Sequence, residues 1–442
     1  MQKNIDNMQN RSFFLPHHFC CRIKSRQPGT ILFCIFGDLY IESSIMEPVT
    51  LTKTQARKII LNAAGLARKS QFGTGIEAVY RLIDHLGFVQ LDTNYVVERA
   101  HHHVMAARIP DYQIEWLGQL CEDGSIFEYL TSDAGYLPMH DFRFSLPLKK
   151  AFKTQRPPLT PAEINLMKDI LDRAEREESL MVGDFENDRV EASSGWWDWR
   201  PAKVALERLY LDGELMINRT KGFQKVYVLP LNTIPRETDL TMPGDEEYAR
   251  YVIRRTLGAL GIAYTKEIAW RARYVKGNLV KKELEKMALT GEIKTVVVED
   301  LKGPLYMLPD QEMSPRISGE VFILSPFDIL NVFRHRLKDF FHFDYQIECF
   351  VPAPKRKYGY FSLPVLAGET FIARMDAKAD RKRKVLIVHN LHFEDIDLDQ
   401  STIEKFIRAL SAFVKFNQCH DIVFKKSNNE NWLETIVERF AG

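Results

Sequence analysis

The chain has 442 residues, 45% of them hydrophobic and 27% charged, and a formal net charge of +1. That length accommodates two to four ordinary globular domains. A charge so close to zero excludes a globally basic nucleic-acid binder, so any DNA surface has to come from local clusters of Lys and Arg.

In chain order, residues 1–45 stand apart from the rest. Arg22, Lys24 and Arg26 precede an apolar run at 31–36 that is too short to span a bilayer and is followed by no clear cleavage site. Residues 1–49 read as an extension, disordered or not native, with Met46 as the working initiator. Residues 78–87 then form an amphipathic helix closed by Gly87, and 88–92 a strand. On that strand Val89 and Leu91 share one face, Gln90 and Asp92 the other. Two residues of strand put the Cα atoms of Gln90 and Asp92 roughly 6.6 Å apart, so an amide and a carboxylate can flank one water. Such a pair suits hydrolysis; spacing alone favours a solvent-facing edge strand with two ordinary polar residues, because alternation of this kind is common. His101, His102 and His103 follow. Three consecutive side chains cannot converge on one ion from regular structure, so no metal site is expected.

Residues 140–180 are charged and helical in character, and 180–194 read as a loop. Trp196, Trp197 and Trp199 sit at a helix start and are assigned to packing rather than base stacking. A repeat is then visible: 202–216 aligns with 280–294, each an amphipathic helix ended by Gly, and each runs through a hairpin into Leu-Pro at 229–230 and 308–309. Helix, strand, turn, strand is half of a winged helix, and two copies imply a tandem array. Residues 78–92 are a fainter third copy. After about residue 311 the helical repeat gives way to β-type runs at 347–351, 359–366, 370–376 and 384–389, then a helix at 399–415. The expected fold is α+β: three tandem winged-helix repeats with a C-terminal β-rich, barrel-like domain. The expected units are 50–150, 151–232, 233–310 and 311–442.

Six cysteines (Cys20, Cys21, Cys34, Cys121, Cys349, Cys419) show neither Cys-x-x-Cys nor zinc-type spacing, which points to a reducing compartment. Two basic clusters remain. One is Lys355, Arg356, Lys357 and Tyr358; the other is Arg374, Lys378, Arg381 and Lys382. Each is either a solvated loop or a set of phosphate contacts giving affinity without sequence information. There is no Walker loop, no G-x-S-x-G, no helix-hairpin-helix, and no lysine framed for Schiff-base chemistry.

The stretch VQLDT…VVERAHHH-MAARIPDY resembles the opening signature of the crosslink-repair DNA glycosylases, the YcaQ/AlkZ-like family. The resemblance continues through FEYLTSDAGYLPM, GWWDWRPAKVALERLYLDGELMINRTKGFQKVY, LSPFDIL, FDYQIECFVPAPKRKYGYFSLPVL and ARMDAKADRKRKVL, nearly everything from residue 50 onward. In that family a Gln-hydrophobic-Asp or Gln-hydrophobic-Gln triplet carries the chemistry, and Asp92 puts this chain with the YcaQ branch. The resemblance implies a monofunctional enzyme that excises N7-alkylated purines from duplex DNA and unhooks interstrand crosslinks, with Asp92 as general base and Gln90 orienting the water or sugar. It implies no cofactor, a monomer, no membrane, and a cytoplasmic, nucleoid-associated bacterial setting. It also implies that one or two of His101, His102 and His103 line the lesion pocket or contact phosphate; packing at a helix start is the alternative. Leu130, Thr131, Ser132 and Asp133 stand where the family carries a Trp and a His, so an auxiliary role for that His does not carry over. The competing class is a non-catalytic winged-helix regulator.

Overall fold

The structure, a computed structural model, describes residues 47–185, 201–219, 223–272, 275 and 277–441. The Trp196–Trp199 helix start lies outside them. Residues 47–442 form one contact unit.

The chain enters on Val49–Leu51 (β1) and Lys53–Ala63 (α1), whose start is fixed by a capping box between Thr52 and Gln55. Gly75–Leu86 (α2) leads into the two-residue strand Val89–Gln90 (β2). Ala100–Arg108 (α3) and Glu115–Glu122 (α4) intervene before the hairpin Ile126–Leu130 (β3) and Ala134–Pro138 (β4). These strands make a sheet in the order β2-β4-β3. The faint third copy of the repeat is therefore interrupted: the first strand after α2 finds its partner only after two inserted helices.

Leu146–Thr154 (α5), Pro161–Glu177 (α6) and Ser179–Leu180 (β5) precede Pro201–Asp212 (α7) and the hairpin Met216–Arg219 (β6) with Lys225–Val228 (β7). Asp245–Leu260 (α8), Ile262–Tyr264 (β8) and Thr265–Arg271 (α9) lead to Gly277–Leu289 (α10), followed by the hairpin Lys294–Val298 (β9) and Leu305–Met307 (β10). Both strong copies of the repeat thus fold as helix, then hairpin. The unit 50–150 is not closed on itself, however. β1 pairs in parallel with β9, in a sheet ordered β1-β9-β10-β8. Three residues of strand cannot stand alone, and the edge they complete comes from far along the chain.

The last sheet runs Val321–Ile323 (β11), then, past the helix Arg334–Phe341 (α11), Ser362–Ala367 (β12), Thr370–Asp380 (β13) and Val385–Phe393 (β14). Gln400–Phe416 (α12) precedes Asp421–Phe424 (β15), and Glu430–Ala441 (α13) ends the chain. The order β11-β12-β13-β14-β15 is open, with register shifts at Val365/Leu366 and Asp376/Ala377 that bend it without closing it. The expected strand at 347–351 is absent: Val351 donates to the Glu348 carbonyl in a turn, and the Glu348 carboxylate is occupied by three backbone N–H groups.

The expected boundary at 311 is not a boundary of packing. One core runs from Leu51 to Phe371, and a second gathers the C-terminal sheet with α12 and, from the first unit, Val97. Buried Arg336 on α11 donates to the carbonyls of Ile262 and Leu260 and pairs with Glu267 at 2.9 Å. Buried Arg108 on α3 grips Asp328 with two bonds of 2.7 and 2.9 Å.

Candidate active site

α2 ends because Gly87 adopts φ +65°, and a Cβ there would meet the Arg255 side chain at 2.9 Å. The reversal launches β2, where Val89 and Leu91 are buried while Gln90 and Asp92 are half-buried. The alternation read from the sequence is present. The strand pairing stops at Gln90, though, with one further bond from Leu91 N–H to the Ala134 carbonyl. Asp92 is free of the ladder because its Oδ1 accepts the Asn94 N–H at 2.6 Å, which turns the chain.

Burial raises the Asp92 pKa above the ordinary 3.8; the Asn94 N–H opposes this and the charge of Asp133 adds to it. Asp133 sits in the turn between β3 and β4, and with Ser132, Trp270, Arg271 and Phe88 it walls a narrow cleft on the Gln90 side. Burial pushes the Arg271 guanidinium down to about 10, with Asp133 acting in the other direction, so it remains a cation at neutral pH. Its Nε has no hydrogen-bond partner among the described residues. A much larger cavity, about 1080 Å³, lies elsewhere, with neither Gln90 nor Asp92 nor Asp133 in its walls.

The segment after Asp92 is tied down from the C-terminal sheet. Arg381 donates to the carbonyls of Tyr95 and Val97 at 2.9 and 2.8 Å, and Ala379 N–H donates to the Val96 carbonyl at 2.9 Å. The buried Glu98 N–H donates to Asn417 Oδ1 at 2.8 Å. Arg99 lies over both Tyr95 and Phe223, at 4.2 and 4.4 Å from the ring centres.

The histidines are buried, not displayed. His102 Nδ1 is hydrogen-bonded to the Tyr112 hydroxyl at 2.6 Å, and His103 Nε2 donates to the Ile323 carbonyl at 2.9 Å. Burial pushes their pKa values down to about 3 and about 4. Neither is available to phosphate. His101 is fully buried and stacked on Phe223 at 5.0 Å; neither ring nitrogen has a partner among the described residues. No group of three or more His, Cys, Asp or Glu among the described residues is arranged to hold a metal.

The basic clusters divide. Lys355, Lys357, Lys378 and Lys382 are exposed, and Tyr358 is half-buried. Arg356 is half-buried, donating to the Val351 carbonyl at 2.8 Å and covering the Tyr360 ring. Arg374 is a correction: it is 4% exposed, paired with Glu394 at 2.7 Å and held between Phe343 and Tyr358, so it organises the sheet and is not open to DNA. Arg381 is exposed, and both of its guanidinium arms hold backbone carbonyls. The sequence pattern singled out neither Arg271 nor Trp270, and Asp133 stood out only as a departure from the family's residues. No local signal links these residues to Gln90, because contacts distant in sequence bring them there.

Two comparisons bear on identity. The family model described as DNA glycosylase AlkZ-like matches residues 83–413, a stretch that includes Gln90, Asp92, Asp133, Arg271 and Arg381. The solved structure of Streptomyces sahachiroi DNA glycosylase AlkZ is similar in fold, with a TM-score of 0.57, 15% sequence identity, and coverage of 86% of this chain and 100% of that one. No helix among the described residues is long and apolar enough to cross a membrane. The alternative of a non-catalytic regulator gives way: the chain belongs to the AlkZ-like DNA glycosylase family and is a DNA glycosylase, an enzyme of DNA repair.

Proposed function

We propose that this glycosylase is monofunctional, acting as a monomer on N7-alkylated purines in duplex DNA and unhooking interstrand crosslinks made through such bases. The observation that carries the reading is the Gln90–Asp92 pair, half-buried at the end of a short strand and backed by Asp133 and Arg271.

A purine alkylated on N7 is already cationic. When its C1′–N9 bond breaks, the bonding electrons leave with a neutral base, so little acid catalysis is needed. The sugar passes through an oxocarbenium-like state. The ionised Asp92 stabilises that positive charge and takes the proton of the water whose oxygen bonds to C1′. Gln90 orients the water or the deoxyribose. A crosslinked base cannot be freely extruded into a tight pocket, which favours chemistry at an open, half-exposed carboxylate.

The test is single-turnover release of free 7-methylguanine from duplex DNA. Asp92→Asn keeps the shape and removes the base, so the rate should fall by at least about a hundredfold while duplex binding is retained. Unchanged rates would refute the assignment of Asp92. Borohydride should trap no protein–DNA adduct, because water rather than a lysine attacks C1′.

A further inference from the structure

Elsewhere in this fold, enclosed arginines have partners. Arg108 pairs with Asp328, Arg336 with Glu267, Arg374 with Glu394 and Arg219 with Glu128. Arg99 is stacked on two aromatic rings. Arg271, the last residue of α9, is matched less well. Its side chain is half-buried, its Nε is enclosed without a partner, and no ion pair joins it to a carboxylate among the described residues. Its contact with the Phe88 ring is at 5.8 Å, close to the limit of cation–π attraction.

An unpaired cation withdrawn from water is costly, and the end of α9 offsets it only with the partial negative charge of its last carbonyls. Functional sites are where a fold keeps such a cost. The cleft that Arg271 lines with Gln90, Ser132 and Asp133 fixes the size of what it can hold. A volume of about 20 Å³ has room for roughly one water, so a purine is too large and a single oxygen atom fits. The charge fixes the chemistry. A guanidinium repels a base that is already cationic, and it forms short, charge-assisted bonds to an anionic oxygen. Duplex DNA carries its anionic oxygens on the phosphates. Asp133 on the same wall weakens the attraction without pairing with the cation.

We propose that Arg271 takes one non-bridging phosphate oxygen of the damaged strand into the cleft beside Gln90, and so sets the position of C1′ against Gln90 and Asp92. The proposal rests on the reading of that pair as the hydrolytic site and adds the contact that registers the strand there. Lys355 and Lys357 are exposed and suit affinity for any duplex. Arg271 lies in the same cleft as Gln90, so its loss misplaces the reacting carbon and is felt in rate more than in affinity.

The experiment uses the full chain and a set of 7-methylguanine duplexes, each with one uncharged methylphosphonate at a phosphate flanking the lesion. For the wild type, one position should lower single-turnover release by at least about tenfold. Arg271→Gln should show a loss of that size on the unmodified duplex and no further loss at that position, because the two changes remove the same contact. Losses that multiply at every position overturn the proposal. Arg271→Gln should also melt no lower than the wild type, since it removes an enclosed cation that has no carboxylate. A marked drop in melting temperature would assign Arg271 to the fold and overturn the proposal as well. Binding to the same duplexes with a tetrahydrofuran abasic analogue in place of the lesion separates the two readings. There the position and the substitution should again give one shared, severalfold weakening. A wild type that releases no 7-methylguanine overturns the substrate reading, whereas independent effects on this affinity overturn the phosphate contact.

Discussion

Arg381 and Tyr95 are joined twice: the guanidinium lies 3.2 Å above the centre of the Tyr95 ring, and one of its arms donates to the Tyr95 carbonyl at 2.9 Å. The other arm holds the Val97 carbonyl at 2.8 Å. A planar fork can satisfy two carbonyls at once, whereas an ammonium is a point charge. Arg381→Lys keeps the charge but loses the grip on the loop that follows Asp92. We expect kcat to fall by roughly tenfold to a hundredfold, the scale of a small misplacement of a reacting group, with KM and the salt dependence of binding unchanged. A salt slope that shrinks with unaltered kcat would make Arg381 a phosphate contact instead.

Asp133 and Asp92 repel each other. As the proposed general base, Asp92 acts only when ionised, so activity should be present above its pKa and lost as pH falls through it. Burial and the Asp133 charge raise that pKa, so the acid limb of kcat should lie at higher pH than for an ordinary aspartate. Asp133→Asn removes the repelling charge, and the acid limb should move to lower pH. A pH–rate profile that does not move would detach Asp133 from the group that sets the acid limb.

The two basic clusters should now behave differently. Replacing Lys355 and Lys357 with Ala should weaken binding to any duplex and reduce the salt slope by about 0.9 for each phosphate no longer neutralised. Arg374→Ala should leave that slope alone and lower thermal stability, since Glu394 would lose its partner in a mostly apolar setting. A measurement of log Kd against log salt for both variants separates the two.

The bidentate pair of Arg108 and Asp328 is completely buried. Removing one partner strands a charge in the core, which typically costs about 3–5 kcal/mol. Arg108→Ala should show that loss in denaturant unfolding. A cost below about 1 kcal/mol would mean that water reaches the pair.

Local features of this protein were legible in the chain alone. The pleat of a strand has a period of two residues, so the alternation of Val89 and Leu91 with Gln90 and Asp92 was readable without any tertiary contact. Gly87, Gly213 and Gly291 end helices or follow them in the left-handed region, and this too follows from a single residue's backbone freedom. The two strong repeats were legible because helix and hairpin each bury their own periodic face. Tertiary structure decided the rest, because charge and burial are properties of neighbours. Arg374 looks like the exposed lysines near it until Glu394 and Tyr358 are in place, and the two carbonyls that occupy exposed Arg381 come from the distant Asp92 loop. For His102 and His103 the sequence left contact with DNA and local packing open, and the hydrogen bonds with Tyr112 and the Ile323 carbonyl decide for packing. Asp133 and Arg271 lie far along the chain from Gln90, and only the pairing of β2 with β4 and the packing of the end of α9 bring their charges to one cleft. A side chain's type fixes what it can do, and its solvation, which no stretch of sequence specifies alone, fixes what it does.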